Sequence, residues 1–117
     1  MEKQIRKFVD ILKIELRDLE QDIHTLSTAL ADKLKEKEIT NFVYKENTAL
    51  LMREVRLVKE AMKDLNNFDF AQYEEIDPFI DDLQELFHNH LNSSAFPQAI
   101  HVLLTRKIEK VRDYIKL

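Results

Sequence analysis

Apolar residues recur along the first thirty positions of the chain at alternating spacings of four and three. This seam consists of Ile5, Val9, Leu12, Leu16, Leu19, Ile23, Leu26 and Leu30. The spacing is the a/d pattern of a helix that packs along its length against another helix. We therefore predict a first helix over residues 2–37, whose seam extends for roughly 45 Å at 1.5 Å per residue.

Helical spacing and capping residues predict three further helices, over residues 41–66, 78–91 and 95–116. The second follows the cap candidates Thr40 and Asn41. Asp77 and Pro78 are predicted as the N-cap and first position of the third helix, since proline is tolerated at a helix start. The aromatic-rich connection before the third helix is predicted to close one end of a bundle.

The long seam fits either a parallel coiled-coil dimer or an antiparallel hairpin within one chain. A parallel dimer would bring Glu15 of one chain against Glu20 of the other, and the two carboxylates would repel. An antiparallel hairpin that folds near Lys37 pairs Val9 with Leu65, Leu16 with Val58, Ile23 with Leu51 and Leu30 with Tyr44. We therefore predict an all-α four-helix bundle built on a long antiparallel helical hairpin, with residues 1–117 forming one domain.

Composition supports an all-helical fold and removes several classes of site. The chain contains no Gly and no Cys, so it lacks the usual residue of hairpin turns and any thiolate ligand or nucleophile. No apolar run reaches the length of a membrane span. With a pI of about 5.6, the electrostatic signature of a nucleic-acid binder is absent. We expect a cytoplasmic protein with no cofactor, no nucleic-acid partner and no membrane contact.

Apolar residues are distributed unevenly along the first helix. Phe8, Ile11 and Ile14 make its beginning apolar nearly all round, so we expect helices three and four to surround that part. The remainder would project as a two-helix arm with Phe42, Val43 and Tyr44 near its tip. Exposed apolar surface of this kind favours an interface, most simply a homodimer. The alternative is a closed monomeric bundle, in which helices three and four lie further along and cover the arm.

Charge is also unevenly distributed, because residues 64–105 carry eight acidic residues and no Lys or Arg. The acidic residues Asp77, Asp81, Asp82 and Glu85 form a candidate interface for a basic protein segment. Alternatively, acids early in helix three and bases late in helix four simply oppose the helix dipoles.

The candidate chemistry lies among the histidines. Glu85 and His88 have the Glu-x-x-His spacing that di-iron bundles use on two helices, which makes a metal-binding bundle an alternative function. Gln98 and His101 share the spacing but place an amide where a carboxylate is needed. The sequence leaves open whether His88, His90 or His101 binds metal.

Arg17 and His24 are separated by six residues in the segment Arg-Asp-Leu-Glu-Gln-Asp-Ile-His. This segment resembles the motif of HEPN-type ribonucleases, which are also small and all-helical. The resemblance covers those eight residues and implies Arg17 and His24 as a catalytic pair that acts on RNA at a dimer cleft.

The sequence as a whole predicts a non-enzymatic, self-associating helical module that acts as an adaptor or chaperone. Its general plan is similar to helical export chaperones of flagellar and related secretion systems, and equally to small bundle-type immunity and adaptor proteins. The expected partner is a protein that lays an amphipathic helix into an apolar groove.

Overall fold

A computed structural model describes residues 2–92 and 98–116 of the chain. This part is helical and contains no strand, which confirms the predicted all-α bundle. Its helices are α1 (Glu2–Lys35), α2 (Asn41–Asn67), α3 (Ile76–Asn92) and α4 (Gln98–Lys116). None of them is long and apolar enough to cross a membrane within the described residues. The predicted start of the fourth helix at residue 95, with Pro97 in its first turn, lies outside the described residues.

A tight turn joins α1 to α2 close to the predicted fold point. The Glu38 amide donates to the Lys33 carbonyl at 2.9 Å and the Lys37 amide to the Leu34 carbonyl at 3.1 Å. These two bonds form a Schellman motif, which needs a left-handed residue at its centre. Lys37 supplies it with a φ of 63°, although glycine normally occupies this position. The first helix therefore ends at Lys35, two residues before the predicted end at residue 37.

α2 begins with the predicted cap and runs antiparallel to α1. The Thr40 hydroxyl accepts a hydrogen bond from the Val43 amide at 3.1 Å. Leu51 lines one groove together with Ile23, its predicted partner, and a second groove together with Leu30.

The start of α3 differs from the prediction. The helix begins at Ile76, so Asp77 lies within its first turn and is not the N-cap. Its carboxylate instead contacts the Lys116 ammonium at 2.8 Å. Pro78 remains in the first turn, where its missing N–H breaks no helical hydrogen bond.

α3 and α4 form an antiparallel pair that covers one end of the hairpin. The buried core residues are Ile5, Phe8, Val9, Leu12, Leu16, Leu19, Ile23, Leu57, Val58, Ala61, Leu65, Ile76, Phe79, Ile80, Leu83, Phe87, Ile100, Leu104, Ile108 and Val111. The predicted aromatic plug is confirmed: the Phe79 ring makes edge contacts with Phe8, Phe68, Phe70 and Tyr73 at centroid distances of 5.4–6.5 Å. Ile14, expected to be covered, is exposed on the outer side of α1.

Ion pairs fix α4 and α3 to the hairpin. Glu15 accepts from the Lys107 and Lys110 ammonium groups, each at 2.8 Å, and these bonds hold the pKa of Glu15 below its usual value. His90 Nδ1 lies 2.6 Å from a carboxylate oxygen of Asp64. Burial raises the pKa of Asp64, and the His90 contact opposes that rise. The glutamate predicted to oppose a parallel dimer thus joins α1 to α4.

Candidate interaction surface

The distal half of the hairpin projects beyond α3 and α4 as a two-helix arm. We define the arm as residues 24–56, which include the turn between α1 and α2, and the bundle end as the rest of the described chain. All of the arm residues are described, and none of them is buried. The molecule is accordingly elongated, with extents of 55 × 29 × 19 Å. The predicted projecting arm is confirmed, and the alternative in which helices three and four cover it is wrong.

One face of the arm continues the face that α3 and α4 cover in the bundle end. Residues seven apart lie on nearly the same side of a helix. On α1, Leu19 is 6% exposed and Leu26 is 56% exposed. On α2, Leu57 is 2% exposed and Leu50 is 41% exposed. We call the uncovered continuation, which includes Val43, Leu50 and Leu26, the open face.

The open face carries a shallow groove between α1 and α2. Its volume is about 230 Å³, and it is lined by Leu26, Ala29, Leu30, Lys33, Asn47, Leu50 and Leu51. Apolar side chains form the centre of the groove, and Lys33 lies at its end near the hairpin turn. The groove therefore offers an apolar strip with a positive charge at the tip of the arm.

Carboxylates lie at the other end of the open face, next to the bundle end. Helical spacing places Glu54 one turn beyond Leu50 and Asp22 one turn before Leu26. Glu54 is half-buried, and this partial burial raises its pKa. Among the described residues no cation forms an ion pair with Glu54 or Asp22. Lys33 and these two carboxylates therefore lie toward opposite ends of the open face.

The opposite side of the arm is more polar. A groove of about 370 Å³ there is lined by Ile23, His24, Ser27, Leu51, Met52, Val55, Arg56 and Lys59. Lys59 lies 3.7 Å from the Glu20 carboxylate, and His24 lies 3.8 Å from it. Met52 is exposed beside these charged groups. This side places His24, Arg56 and Lys59 beside its apolar side chains, so the groove on the open face is the more apolar of the two.

The predicted tip residues point in different directions, because successive residues on a helix are about 100° apart. Phe42 is 68% exposed and lies on the outer side of α2. Val43 is exposed on the open face, and Tyr44 is half-buried toward α1. The tip does expose apolar side chains, but only Val43 shares a face with Leu50. The role of these residues in an interface stays a prediction.

The acidic residues of α3 largely pair within the molecule. Asp77 contacts Lys116 at 2.8 Å, and Asp81 lies 3.3 Å from the Arg112 guanidinium. The Lys116 bond lowers the pKa of Asp77. Because α3 and α4 are antiparallel, the acidic start of α3 lies beside the basic end of α4. This pairing gives the uneven charge distribution a structural role, and contact with a basic partner stays a prediction.

Two further acidic residues complete the predicted set. Asp82 accepts a hydrogen bond from the Tyr73 hydroxyl at 2.6 Å, which raises the pKa of Tyr73 to about 12. Glu85 is exposed at the edge of a groove between α3 and α4.

The groove beside Glu85 also contains the two histidines that the sequence singled out. The rings of His88 and His101 lie 5.4 Å apart, centroid to centroid. The groove is otherwise lined by Gln84, Phe87, Leu104, Thr105 and Ile108. Within residues 2–92 and 98–116, no three His, Asp or Glu side chains come close enough together to hold a metal ion. His90 is directed to Asp64 instead.

Arg17 and His24 both lie exposed on α1. His24 is 3.8 Å from Glu20 on the same helix and borders the polar groove of the arm. Arg17 lies two turns earlier, alongside the bundle end. A catalytic role for the pair stays a prediction that rests on the sequence resemblance.

Comparison with known proteins identifies no relative. No protein-family model, no curated protein and no solved structure matches this chain. The geometry of the chain itself therefore carries the functional argument.

Sequence reasoning missed Leu26 and Leu50 as surface residues. Leu26 belongs to the a/d seam and was assigned to the interior of the hairpin. Leu50 follows Val43 and precedes Leu57 by seven residues, and this second apolar stripe on α2 was the available signal. Its spacing indicates a second apolar face on α2, which is buried at Leu57 in the bundle end and exposed at Leu50 in the arm.

Proposed function

We propose that this protein is a helical protein–protein interaction module that binds its partners through the open face of the arm. The supporting observation is the contrast in burial along one continuous face, from Leu19 and Leu57 in the bundle end to Leu26 and Leu50 in the arm. A contiguous apolar strip that is exposed to solvent is a common feature of binding surfaces.

A helical partner suits this surface best. In the bundle end, the same face of the hairpin is covered by helices that lie roughly along it. Glu15 of α1 meets Lys107 and Lys110 of α4 there, and Lys7 of α1 lies 5.6 Å from the centre of the Tyr114 ring. An amphipathic helix on the open face would extend that layer and gain roughly 25 cal/mol per Å² of apolar surface removed from water.

Photo-crosslinking in the native cell tests the proposal whatever the identity of the partner. A photoreactive phenylalanine analogue replaces Leu50 in one variant and Ala49 in a control. The two positions are neighbours, and both are exposed, but they point about 100° apart. We expect crosslinked protein adducts from position 50 and markedly fewer from position 49.

Equal crosslinking from positions 49 and 50, or none from position 50, would overturn the proposal. Circular dichroism of both variants establishes that the helices are retained. Substitution of Phe42 and Tyr44 by alanine tests the tip separately: recovery of the same adducts from position 50 in that background would remove the tip from the interface.

A further inference from the structure

We infer that the occupant of the open face is a second copy of this chain, and that the two arms pack face to face in antiparallel orientation. This inference rests on the proposed function and adds the identity of the partner and its orientation. The two arms, each of two helices, would form the centre of the dimer, and one bundle end would lie at either end of it.

The positions of Lys33, Asp22 and Glu54 favour the antiparallel orientation. Lys33 lies at the tip, whereas Asp22 and Glu54 lie at the base. A two-fold axis across the middle of the face brings each Lys33 to the Asp22 and Glu54 carboxylates of the partner subunit. A parallel arrangement would place both Lys33 side chains at one end and all four carboxylates at the other. Like charges gathered in this way disfavour the parallel dimer.

The apolar centre of the face is compatible with its own copy. In an isologous interface the same patch occurs on both sides, so its residues must complement one another about the axis. On α1, Leu26 and Ala29 lie on opposite sides of the middle of the open face. On α2, Leu50 and Asn47 lie on opposite sides of the same middle. Across the axis each leucine would therefore meet a smaller or polar side chain, which permits close packing of large against small groups.

The lengths of the helices leave room for the partner's arm. α1 has 34 residues and α4 has 19, which correspond to roughly 51 Å and 29 Å at 1.5 Å per residue. α4 runs antiparallel to α1 with Tyr114 beside Lys7, so its first residue, Gln98, lies about two thirds of the way along α1, near the level of Ile23. The uncovered length matches the arm itself, and the partner's arm would occupy it without displacing α3 or α4.

Light scattering of the purified full-length chain tests whether the chain forms a dimer. We expect the mass of a dimer, and we expect Leu50→Gln to shift the dissociation constant at least about tenfold toward the monomer. Met52→Gln is the matched control, because Met52 is also exposed on α2 but lies on the polar side. A wild-type chain that remains monomeric at about 100 μM would overturn the inference.

Charge-reversal variants test whether the two arms are antiparallel. We expect Lys33→Glu to weaken the dimer about tenfold and the added changes Asp22→Lys and Glu54→Lys to restore it. Lys45→Glu is the control, since it alters the same charge at an exposed position of α2 away from the open face. A dimer that tolerates Lys33→Glu as well as it tolerates Lys45→Glu would overturn the antiparallel arrangement.

The absence of cysteine from the chain allows a direct proximity measurement. Protein carrying Lys33→Cys is mixed with protein carrying Asp22→Cys and treated with a thiol crosslinker of about 10 Å reach, the spacing of packed helices. We expect the mixture to crosslink and Lys33→Cys alone to do so far less. The reverse result would indicate parallel arms and overturn the antiparallel arrangement.

The two proposals fail in different ways. A monomeric chain whose position 50 crosslinks to another protein in the cell would remove the second copy as the occupant and leave the proposed function intact. A chain that neither dimerises nor crosslinks through position 50 would remove both.

Discussion

The two halves of the α1–α2 hairpin have the same helical construction but different surroundings. In the bundle end, Leu19 and Leu57 are buried, whereas Leu26 and Leu50 lie exposed one heptad further along the arm. The apolar pattern is continuous across the boundary. The difference arises because α3 and α4 are only about half as long as α1. A heptad pattern shows which face of a helix is apolar and needs a partner. The lengths of the other helices determine how much of that face is buried.

Charged residues show the same contrast. In the bundle end, Glu15, Asp77 and Arg112 form interhelical ion pairs that attach α3 and α4. On the open face of the arm, Lys33 and Glu54 form no ion pair with another described residue. Along this one face, the bundle end buries Leu19 and Leu57 and pairs Glu15, whereas the arm leaves Leu26 and Leu50 exposed and Lys33 and Glu54 outside any ion pair with a described residue.

The largest expected difference between the halves is the cost of removing a leucine. Leu57→Ala deletes a fully buried side chain and should lower the free energy of unfolding by about 2–4 kcal/mol. Leu50→Ala removes a side chain that is already partly in water and should cost less than about 1 kcal/mol in the monomer. Urea unfolding of both variants, at a concentration where the chain is monomeric, gives the two values.

Leu19→Ala and Leu26→Ala repeat this comparison on α1. The pair lies seven residues apart on one face, as Leu57 and Leu50 do on α2, so the same ordering is expected. Equal losses at the two members of either pair would show that the open face is covered within the monomer.

An intermediate effect is expected at the ion pair that holds α4. Glu15→Gln replaces the carboxylate that accepts from Lys107 and Lys110, and should destabilise the chain by about 1 kcal/mol at neutral pH. The pKa of Glu15 is lowered by folding. Its contribution is therefore fully present above the unfolded-state pKa and is lost as the pH falls through the folded-state pKa.

The difference between wild type and Glu15→Gln should accordingly shrink on acidification below about pH 4.5, the usual region of glutamate ionisation. Asp64 and Glu54 act in the opposite sense, because their raised pKa values favour proton uptake by the native state. They are present in both proteins and cancel in the comparison. A difference that stays constant from pH 7 to pH 3 would contradict the role of the Glu15 carboxylate.

Sequence reasoning predicted the helices and the hairpin because these depend on local spacing and capping. Thr40 and the fold point near Lys37 are local signals of this kind. It did not predict that Asp77 would contact Lys116 rather than cap α3, because that contact joins residues brought together by the antiparallel packing of α3 and α4. Leu50 was missed for the same reason: its exposure depends on where α4 ends along the hairpin, which no local pattern of α2 contains.

The smallest expected effect concerns the turn that closes the arm. Lys37 has a φ of 63°, a left-handed conformation in which a side chain costs roughly 1 kcal/mol relative to glycine. Lys37→Gly should therefore stabilise the turn by at most about 0.6 kcal/mol, after roughly 0.4–1 kcal/mol for the added freedom of glycine in the unfolded chain is subtracted. Lys37→Ala keeps the Cβ atom and removes only the charge, so it serves as the control and should give no comparable gain.

The arm packs less extensively than the bundle end, and its amides should open locally without global unfolding. Hydrogen exchange therefore reports the effect of Lys37→Gly better than bulk denaturation does. We expect slower exchange in residues 24–35 and 41–56 and unchanged exchange in α3 and α4. If Lys37→Gly slowed exchange equally in both halves, the arm and the bundle end would open as one unit, and the contrast between them would be confined to burial.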